Sequence, residues 1–391
     1  MTTIPLLDAE GRLTTVEAAP APADPHSAGP PRTREVFAAA HVVPLVAADN
    51  TPGAPAVIDW DATLAFRRHV WSWGLGVADA MDTAQRNMGL DWPATAELIR
   101  RSAAEARDAG GALVVGVNTD HVAEAAIPLD AVIDAYLHQL EVAEEAGAGV
   151  VLMASRHLAR AATSPADYER VYRAVLERAG APVVLHWLGA AFDPQLAGYF
   201  GSDDWREAAR TVERIIGDNL ATVRGIKMSL LDAEAERVVR ATLPAPARLY
   251  TGDDFHYVDL IAGGVEADGV ERHSDALLGA FAAVAPRAAV ALAALDAGDV
   301  DRYRAVLEPT EALARQVFAA PTPFYKTGVA FLAWLNGHQP AFQMVGGLHA
   351  GRSLPHLSGI VRLADAAGAL ERPELAAARW TALLRLNGID A

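Results

Sequence analysis

The sequence contains no cysteine. This absence excludes disulfide bonds, cysteine-ligated zinc, iron–sulfur clusters and thiol nucleophiles. Basic residues are scarce, since 33 lysines and arginines face 49 aspartates and glutamates, which gives a formal net charge of −16. A nucleic-acid-binding protein usually presents a basic surface, and anionic membranes attract basic segments. The charge therefore argues against nucleic acid and against a membrane surface as partners.

Targeting and membrane-spanning signals are also missing. The start of the chain, MTTIPLLDAEGR, lacks the basic beginning and apolar run of a signal peptide. No uninterrupted apolar run approaches the roughly 20 residues that span a bilayer. Hydrophobic residues nevertheless make up 52% of the chain, so a large core is available and a disordered chain is excluded. We expect a cytoplasmic protein, and the lack of disulfides fits a reducing compartment.

Short apolar runs recur along the chain and alternate with Ala-rich segments of helical spacing. The first six runs begin about 35 residues apart, which is roughly the length of one strand, one helix and two loops. The candidate strands are residues 41–46, 74–81, 112–118, 149–155, 182–189, 223–229, 248–253 and, more weakly, 264–270. The pattern predicts an α/β fold of the (β/α)8 TIM-barrel type. The alternative is a doubly wound open sheet, which usually carries a G-x-G-x-x-G loop that is absent after the first run.

The two ends of the chain differ from this repeating part, which we assign to a barrel over residues 36–275. Residues 1–35 are rich in Pro and Ala and are predicted as an extended N-terminal arm, disordered or packed on the body or on a neighbouring subunit. Residues 276–391 are predicted as additional C-terminal helices. The surface that both ends add favours a homo-oligomer, either a dimer or a tetramer. Within the helical region, the Gly-rich loop 336–352 is predicted to be ordered and to face substrate or an interface, and it carries His338, His349 and Arg352.

Substrates bind at the carboxyl ends of the strands in a (β/α)8 barrel. Polar residues that end the predicted strands are therefore the candidates for the site. Lys227 and His186 are the candidates for catalysis. The candidates for substrate binding are Asp79, Asp82, Asn118, Asp120, Arg156, His157, Asp253 and Asp254. Asp79 and Asp82 could instead be loop carboxylates that cap the next helix.

Lys227 interrupts the apolar run VRGIKMS in a chain that has very few lysines. Burying an ammonium ion is costly, so burial lowers the pKa of a lysine and favours the nucleophilic free amine. Such an amine can form a Schiff base with an aldehyde or ketone. The alternative is a lysine at a strand end that reaches solvent or pairs with Asp253.

The segments around this lysine resemble a known family. GIKMS, followed by YTGDD, is similar to the dihydrodipicolinate synthase and N-acetylneuraminate lyase superfamily, in which a G-[IV]-K segment on the sixth strand carries a Schiff-base lysine and an (S/T)-G-D-[DE] segment ends the seventh. Further similar segments follow the family's order: VID before the first helix, GGVEADGV, LEPTEALARQVF and PTPFYKTGVAFLAWLNG. The resemblance covers roughly residues 38–337 and indicates an uncharacterised, divergent branch. It implies a class I aldolase-like enzyme with Lys227 as the Schiff-base residue.

Two segments depart from the family's pattern. A G-T-T-G-E-like loop, which holds the carboxylate of a 2-oxo acid in the family, is replaced by VADAMDTAQRNMG. Asp79 and Asp82 in that segment would repel a carboxylate and accept hydrogen bonds from hydroxyls, which favours a neutral, hydroxyl-rich substrate. The family's Tyr-Asn-x-Pro-like segment is replaced by VVLHWLG, which puts His186 near the proton-relaying Tyr. His186 suits proton transfer because its ordinary pKa is about 6.5, although it could also be a buried histidine that donates to a backbone carbonyl.

These observations predict a Schiff-base lyase, either an aldolase or a dehydratase, that acts on a small hydroxylated carbonyl compound such as a sugar derivative and uses no cofactor. Two alternatives remain open, namely a metal-dependent sugar isomerase-like barrel and a barrel that binds a metabolite without catalysis. Asp253 and Asp254, with His256 and His273 nearby, are suitable ligands for a divalent ion. A Schiff-base lysine removes the need for a Lewis acid, so we predict no catalytic metal.

Overall fold

The structure is a computed structural model that describes residues 2–23, 29–81, 85–266 and 268–391. The strands in these ranges are β1 (Thr3–Leu7), β2 (Leu13–Glu17), β3 (Val36–Ala39), β4 (Gly76–Asp79), β5 (Leu113–Val117), β6 (Gly149–Leu152), β7 (Val183–Leu188), β8 (Val223–Ser229), β9 (Arg248–Thr251), β10 (Gly264–Val265), β11 (Glu271–Arg272) and β12 (Asp275–Leu278). The α-helices are α1 (Trp60–Ser72), α2 (Trp92–Ala109), α3 (Leu129–Glu145), α4 (Arg156–Ala161), α5 (Pro165–Leu176), α6 (Trp205–Asp218), α7 (Ala233–Thr242), α8 (Tyr257–Ala262), α9 (Ala280–Ala283), α10 (Ala285–Asp296), α11 (Val300–Val317), α12 (Tyr325–Leu335), α13 (Leu354–Ala366) and α14 (Pro373–Leu386).

Eight parallel strands close into a barrel in the order β12-β3-β4-β5-β6-β7-β8-β9. Local chemistry sets the helix ends between them. Asp59 and Asp91 accept hydrogen bonds from backbone N–H groups in the first turns of α1 and α2, and Gly110 ends α2 in the left-handed conformation at φ 65°. The predicted (β/α)8 TIM barrel with additional C-terminal helices is confirmed.

Two of the predicted barrel strands were placed wrongly. The first strand is β3 and not residues 41–46, which form the loop after it; that loop is apolar because Val42 and Val43 are buried in the core. The eighth strand is β12 and not residues 264–270. The first two residues of that segment form β10, which pairs with β11 in a hairpin, and Val265 in it is 73% exposed. Both true strands are fully buried, so their apolar character does not set them apart from an apolar neighbouring segment.

Side chains along each barrel strand alternate between two environments. One set points into the barrel and packs in a separate interior cluster that includes Phe37, Val151, Tyr250 and Leu277. The other set points outward and joins the main core between the strands and the helices. A residue's position in this alternation therefore decides whether its side chain can reach a substrate inside the barrel.

Ion pairs join the amino ends of the strands. Arg248 pairs with Asp275, Arg224 pairs with Glu35 at 2.6 Å, and the hydroxyl of Tyr250 donates to Glu35 at 2.6 Å. These contacts occupy the end of the barrel opposite the carboxyl ends of the strands. The end formed by the carboxyl ends of the strands is left for a ligand.

The N-terminal segment and the C-terminal helices pack on one another. β1 and β2 form an antiparallel hairpin, and β1 contacts α13 and α14. The backbone N–H of Leu7 donates to Ser358 Oγ at 2.7 Å, and Trp380 Nε1 donates to the carbonyl of Pro5 at 2.6 Å. Among the described helices, none is both long enough and apolar enough to cross a membrane.

Candidate active site

The adjacent strands β7 and β8 bring two predicted residues together. They pair in parallel register, and this register sets His186 directly beside Lys227. Ile226 and Met228 belong to the outer core, so the alternation turns Lys227 into the barrel interior. Lys227 is only 7% exposed. Its amine therefore lies inside the barrel, in the half nearer the carboxyl ends of the strands.

Gly252, which follows β9, lies close against the end of β8. A Cβ atom at position 252 would lie 2.2 Å from Ser229 Oγ, 2.6 Å from the backbone oxygen of Met228 and 2.7 Å from Lys227 Cε. Real Cβ atoms essentially never approach other atoms so closely. The glycine in YTGDD is thus a steric requirement of the close approach between this segment and the end of β8, which carries Lys227, and sequence reasoning did not identify it as one.

The chain contains only two lysines, Lys227 and Lys326, and both are buried. Lys326 belongs to α12 and is 1% exposed. Its Nζ donates a hydrogen bond to the carbonyl of Ala39 at the carboxyl end of β3. Lys326 was absent from the predicted site because it lies in an apolar helix far along the chain. Its identity as one of two lysines was the signal that could have found it.

The charges of both lysines act on the carboxyl group of Asp254. Its Oδ1 accepts a hydrogen bond from the backbone N–H of Ala280 at 2.8 Å, and it is 3% exposed. Burial raises the pKa of Asp254 to about 7, although the Ala280 hydrogen bond and the charges of Lys227 and Lys326 act in the opposite direction. A carboxyl group with this pKa exchanges protons readily at neutral pH.

His186 is a neutral imidazole in this environment. Burial, together with the nearby charge of Lys227, holds the pKa of His186 well below its usual value. Its Nε2 lies 3.1 Å from Ser229 Oγ. Its buried Nδ1 has no hydrogen-bond partner among the described residues. A neutral imidazole with an unpartnered nitrogen can bind a substrate hydroxyl, but it is a poor proton donor at neutral pH.

Asp253 is held by its own segment. Its Oδ1 accepts from the backbone N–H of Phe255 at 2.9 Å, and its Oδ2 lies 2.8 Å from Nδ1 of His256. These contacts fix the turn that presents Asp254. Within the described residues, Asp253, Asp254, His256 and His273 do not form a group of three donor atoms close enough to share an ion.

Four other predicted residues line one cleft at the carboxyl ends of β5 and β6. The cleft has a volume of about 230 Å³, and these residues are Asn118, Asp120, Arg156 and His157. Asn118 also reaches the interior, where its Nδ2 lies 4.0 Å from Met153 Sδ. The cleft therefore adjoins the barrel interior on the β5 side.

Asp120 and His157 form hydrogen bonds with other groups of the protein. Asp120 accepts from Arg86 Nε at 2.9 Å and from Gln139 Nε2 at 2.9 Å. Burial alone would raise the pKa of Asp120, but the charge of Arg86 and the hydrogen bonds of both partners outweigh burial and lower it. His157 is held at both nitrogens, by Thr119 Oγ1 at 2.7 Å and by the carbonyl of Glu124 at 2.8 Å. Neither group is well placed to exchange protons with a substrate.

Part of the Arg156 side chain is exposed in this cleft. Its Nε donates to Asp193 at 2.7 Å, and 30% of its side chain is exposed. The pairing with a buried aspartate fixes the direction of the guanidinium. Its exposed part is suited to binding polar groups of a ligand.

Asp79 is not brought to the site. Asp79 ends β4 on the outward side of the alternation, where it is fully buried and paired with Arg67 at 2.7 Å. Ser102 Oγ also donates to it at 2.5 Å. The expected repulsion of a substrate carboxylate by Asp79 therefore has no structural basis, because the charge of Asp79 is compensated outside the barrel interior. Asp82 lies outside the described residues.

Comparison with known proteins supports the predicted resemblance at the level of fold. Dihydrodipicolinate synthase from Thermotoga maritima superposes with a TM-score of 0.62 at 15% identity, covering 87% of this chain and 100% of that one. DapA-2 from Bacillus anthracis gives a TM-score of 0.59 at 17% identity, covering 84% and 97%. YagE, a prophage protein of the dihydrodipicolinic acid synthase family from E. coli K12 solved in complex with pyruvate, gives 0.61 at 16% identity, covering 91% and 99%. The identities are low, and the likeness is one of fold.

Sequence comparison places the chain apart from these enzymes, as the predicted divergent branch requires. None of the curated proteins compared with the chain matches it. A family model described as "Protein of unknown function (DUF993)" matches residues 4–389. Nearly the whole chain is covered by that match, and the protein therefore belongs to the DUF993 family.

Proposed function

We propose that this protein is a Schiff-base lyase of the class I aldolase type with Lys227 as the nucleophile. The observation that carries the proposal is the burial of Lys227, one of only two lysines in the chain, inside the barrel directly beside His186. Elsewhere the chain uses arginine as its long basic side chain. A lysine amine can lose its proton and attack a carbonyl, which a guanidinium cannot do. Lysine at these two positions therefore points to chemistry.

The proposed reaction begins when the Lys227 amine attacks the substrate carbonyl carbon. Loss of water then leaves a protonated imine, which withdraws electrons from the neighbouring carbon. In its acid form, Asp254 protonates the departing hydroxyl. As a carboxylate, it accepts the proton of the substrate hydroxyl while the adjacent C–C bond breaks and its electron pair forms an enamine. In a dehydration, the acid form would instead protonate the hydroxide that leaves.

His186 and the cleft supply binding in this scheme. The free Nδ1 of His186 accepts a hydrogen bond from a substrate hydroxyl beside the imine. Asn118 and Arg156 hold the polar remainder of the substrate in the neighbouring cleft. The sequence had assigned His186 to proton transfer, and its lowered pKa favours this positioning role instead.

The second lysine favours a substrate that carries a carboxylate. Lys326 adds positive charge to the region of Asp254 and Lys227, and a buried cation stabilises an anion strongly where water is excluded. Asp79, whose charge had argued for a neutral substrate, is neutralised by Arg67 away from the interior. We therefore propose a hydroxylated 2-oxo acid as the substrate class. Pyruvate, which is bound in YagE, is the simplest probe of it.

Borohydride trapping tests this proposal. The protein is incubated separately with pyruvate and with a neutral ketose, reduced, and analysed by intact mass and peptide mapping. We expect one pyruvate adduct per chain on Lys227 and none in Lys227→Arg. In Lys326→Met, trapping should need a higher pyruvate concentration to reach half of its maximum. Because only two lysines exist, the mapping assigns the adduct without ambiguity among side chains.

Two results would overturn the assignment. An adduct on Lys326 alone would make Lys326 the nucleophile. No adduct with any carbonyl compound, in protein shown to be folded, would favour a barrel that binds a metabolite without catalysis. The metal-dependent isomerase is disfavoured by the donor geometry, because Asp253 and His256 supply two ligands and not three within the described residues.

The assembly and location of the enzyme are further proposals. We propose a cytoplasmic homo-oligomer, supported by the negative charge, the absence of cysteine and the helices added to the barrel. Light scattering at micromolar protein should give a multiple of the chain mass. A mass of 41.3 kDa would show a monomer.

A further inference from the structure

A second cluster of polar side chains lies where α1 meets the C-terminal helices. His69 is in the last turn of α1, His338 follows α12, and Glu371 lies between α13 and α14. One carboxylate oxygen of Glu371 is 2.8 Å from Nε2 of His338 and 3.6 Å from Nε2 of His69. Within the described ranges, this is the one group of at least three such residues whose donor atoms all lie within 4.8 Å of one another.

We propose that His69, His338 and Glu371 bind a divalent transition-metal ion of the zinc type. Imidazole nitrogens and carboxylate oxygens are ligands of zinc at about 2.0–2.2 Å, and tetrahedral ligands at that radius are separated by about 3.4 Å. The two measured separations from the Glu371 oxygen, 2.8 and 3.6 Å, bracket this value. Water would complete the coordination.

The backbone around the proposed ligands is already fixed. Asn336, which is 4% exposed, donates from Nδ2 to the carbonyl of Ala369 at 2.9 Å, and its Oδ1 accepts from the backbone N–H of Glu371 at 3.0 Å. This clamp holds the Glu371 loop against the end of α12, two residues before His338. Small side-chain rotations would therefore complete the site without a change of fold.

The cluster is accessible to an ion. The side chains of His69 and His338 are each 18% exposed, and that of Glu371 is 27% exposed. The imidazole rings lie 4.0 Å apart at a tilt of 37°, so the rings must separate slightly to share an ion.

The proposed ion would have a structural role distinct from the Lys227 chemistry. No barrel strand supplies a ligand, whereas α1 and the two loops of the C-terminal region each supply one. An ion at this point ties the barrel to the C-terminal helices and stabilises the folded chain, since a ligand that binds only the native state shifts unfolding by mass action. In this proposal, the Gly-rich loop 336–352 supplies one metal ligand, His338.

The test uses the untagged full chain after removal of metals with a chelator. Calorimetric titration with zinc chloride near pH 7.5 should give one ion per chain, and the thermal midpoint should rise by several degrees. Cobalt chloride should produce the visible absorption of a low-symmetry site. Glu371→Gln and His338→Asn should each weaken zinc binding by at least about tenfold.

His138→Asn is the matched control, because His138 lies 4.8 Å from His121, ring to ring, without belonging to a three-ligand group of described residues. Its zinc affinity should equal that of the wild type. The proposal is overturned if the wild type shows no saturable zinc binding, or if both ligand variants bind zinc as the wild type does. Circular dichroism confirms folding of each variant, and should one variant unfold, the other and the wild-type stoichiometry still decide the question. Neither outcome depends on the trapping experiments at Lys227.

Discussion

Replacement of Asp79 by alanine distinguishes a structural from a substrate-binding role for this carboxylate. Asp79 and Arg67 are both completely buried, and they form two hydrogen bonds, from Arg67 Nη2 at 2.7 Å and from Arg67 Nε at 3.1 Å. Removing the carboxylate leaves a guanidinium in the core without its charged partner. Breaking a buried ion pair in this way costs about 3–5 kcal/mol. We expect Asp79→Ala to destabilise the fold by that amount.

The thermal shift follows from the size of the chain. Unfolding entropy near the midpoint is about 2.1 cal/mol/K per residue, which gives roughly 0.8 kcal/mol/K for 391 residues. The expected loss therefore lowers the melting temperature by about 4–6 °C. Differential scanning calorimetry measures this shift. Trapping of pyruvate on Lys227, measured well below the melting temperature, should remain unchanged.

A double variant supplies the control. Arg67→Met with Asp79→Leu removes both charges and fills similar volume, so it should recover most of the stability lost in Asp79→Ala. The reasoning would be refuted if Asp79→Ala melted within about 1 °C of the wild type while pyruvate trapping weakened strongly. That outcome would restore the substrate-binding role predicted from the sequence.

Three further predictions follow from buried groups near the carboxyl ends of β8 and β9. Gly252→Ala should slow borohydride trapping at Lys227 by at least about 100-fold with the fold retained by circular dichroism, because its Cβ would collide with Ser229 Oγ, the Met228 backbone oxygen and Lys227 Cε and so displace the lysine; trapping at the wild-type rate would contradict this steric role. In the wild type, the rate of trapping should change with pH near 7, where Asp254 titrates. Asp254→Asn should slow trapping by about 100-fold or more and remove this pH dependence, a change that a packing role alone would not produce. Burial raises the pKa of Glu236 from 4.5 to about 8, so the folded state holds a proton that the unfolded state loses, and stability should fall as pH rises from about 4.5 to 8. Glu236→Gln should flatten that slope in urea titrations, and an unchanged slope would count against the raised pKa.

The repeating apolar runs predicted the barrel because most of its strands are buried on both faces and therefore read as continuous apolar segments. The prediction failed at β3 and β12, because a buried loop after β3 and an exposed hairpin before β12 have sequences that resemble strands. Hydrophobicity reports burial, and burial alone does not distinguish a strand from a packed loop.

The candidate site could be predicted only where a local anomaly marked it. Lys227 is a charge within an apolar strand, and such an interruption is visible in the sequence. Lys326 and Arg67 act through partners that tertiary packing selects, since Lys326 bonds Ala39 across 287 positions and Arg67 reaches Asp79 from a neighbouring helix. The sequence shows which residues are chemically unusual, whereas the packing decides which of them meet.

The contact between the N-terminal hairpin and the last helices bears on how the protein is made. Leu7 is hydrogen-bonded to Ser358, and Pro5 is hydrogen-bonded to Trp380. The partners lie 351 and 375 positions apart in the sequence. On the ribosome, the residues that emerge early must wait for those that emerge late, because long-range contacts cannot form until both partners exist. The barrel can close while synthesis continues, but the hairpin docks only once α13 and α14 have been made. A chain that stops before α13 would leave exposed the apolar side chains of Ile4 and Leu6, which are buried in this fold.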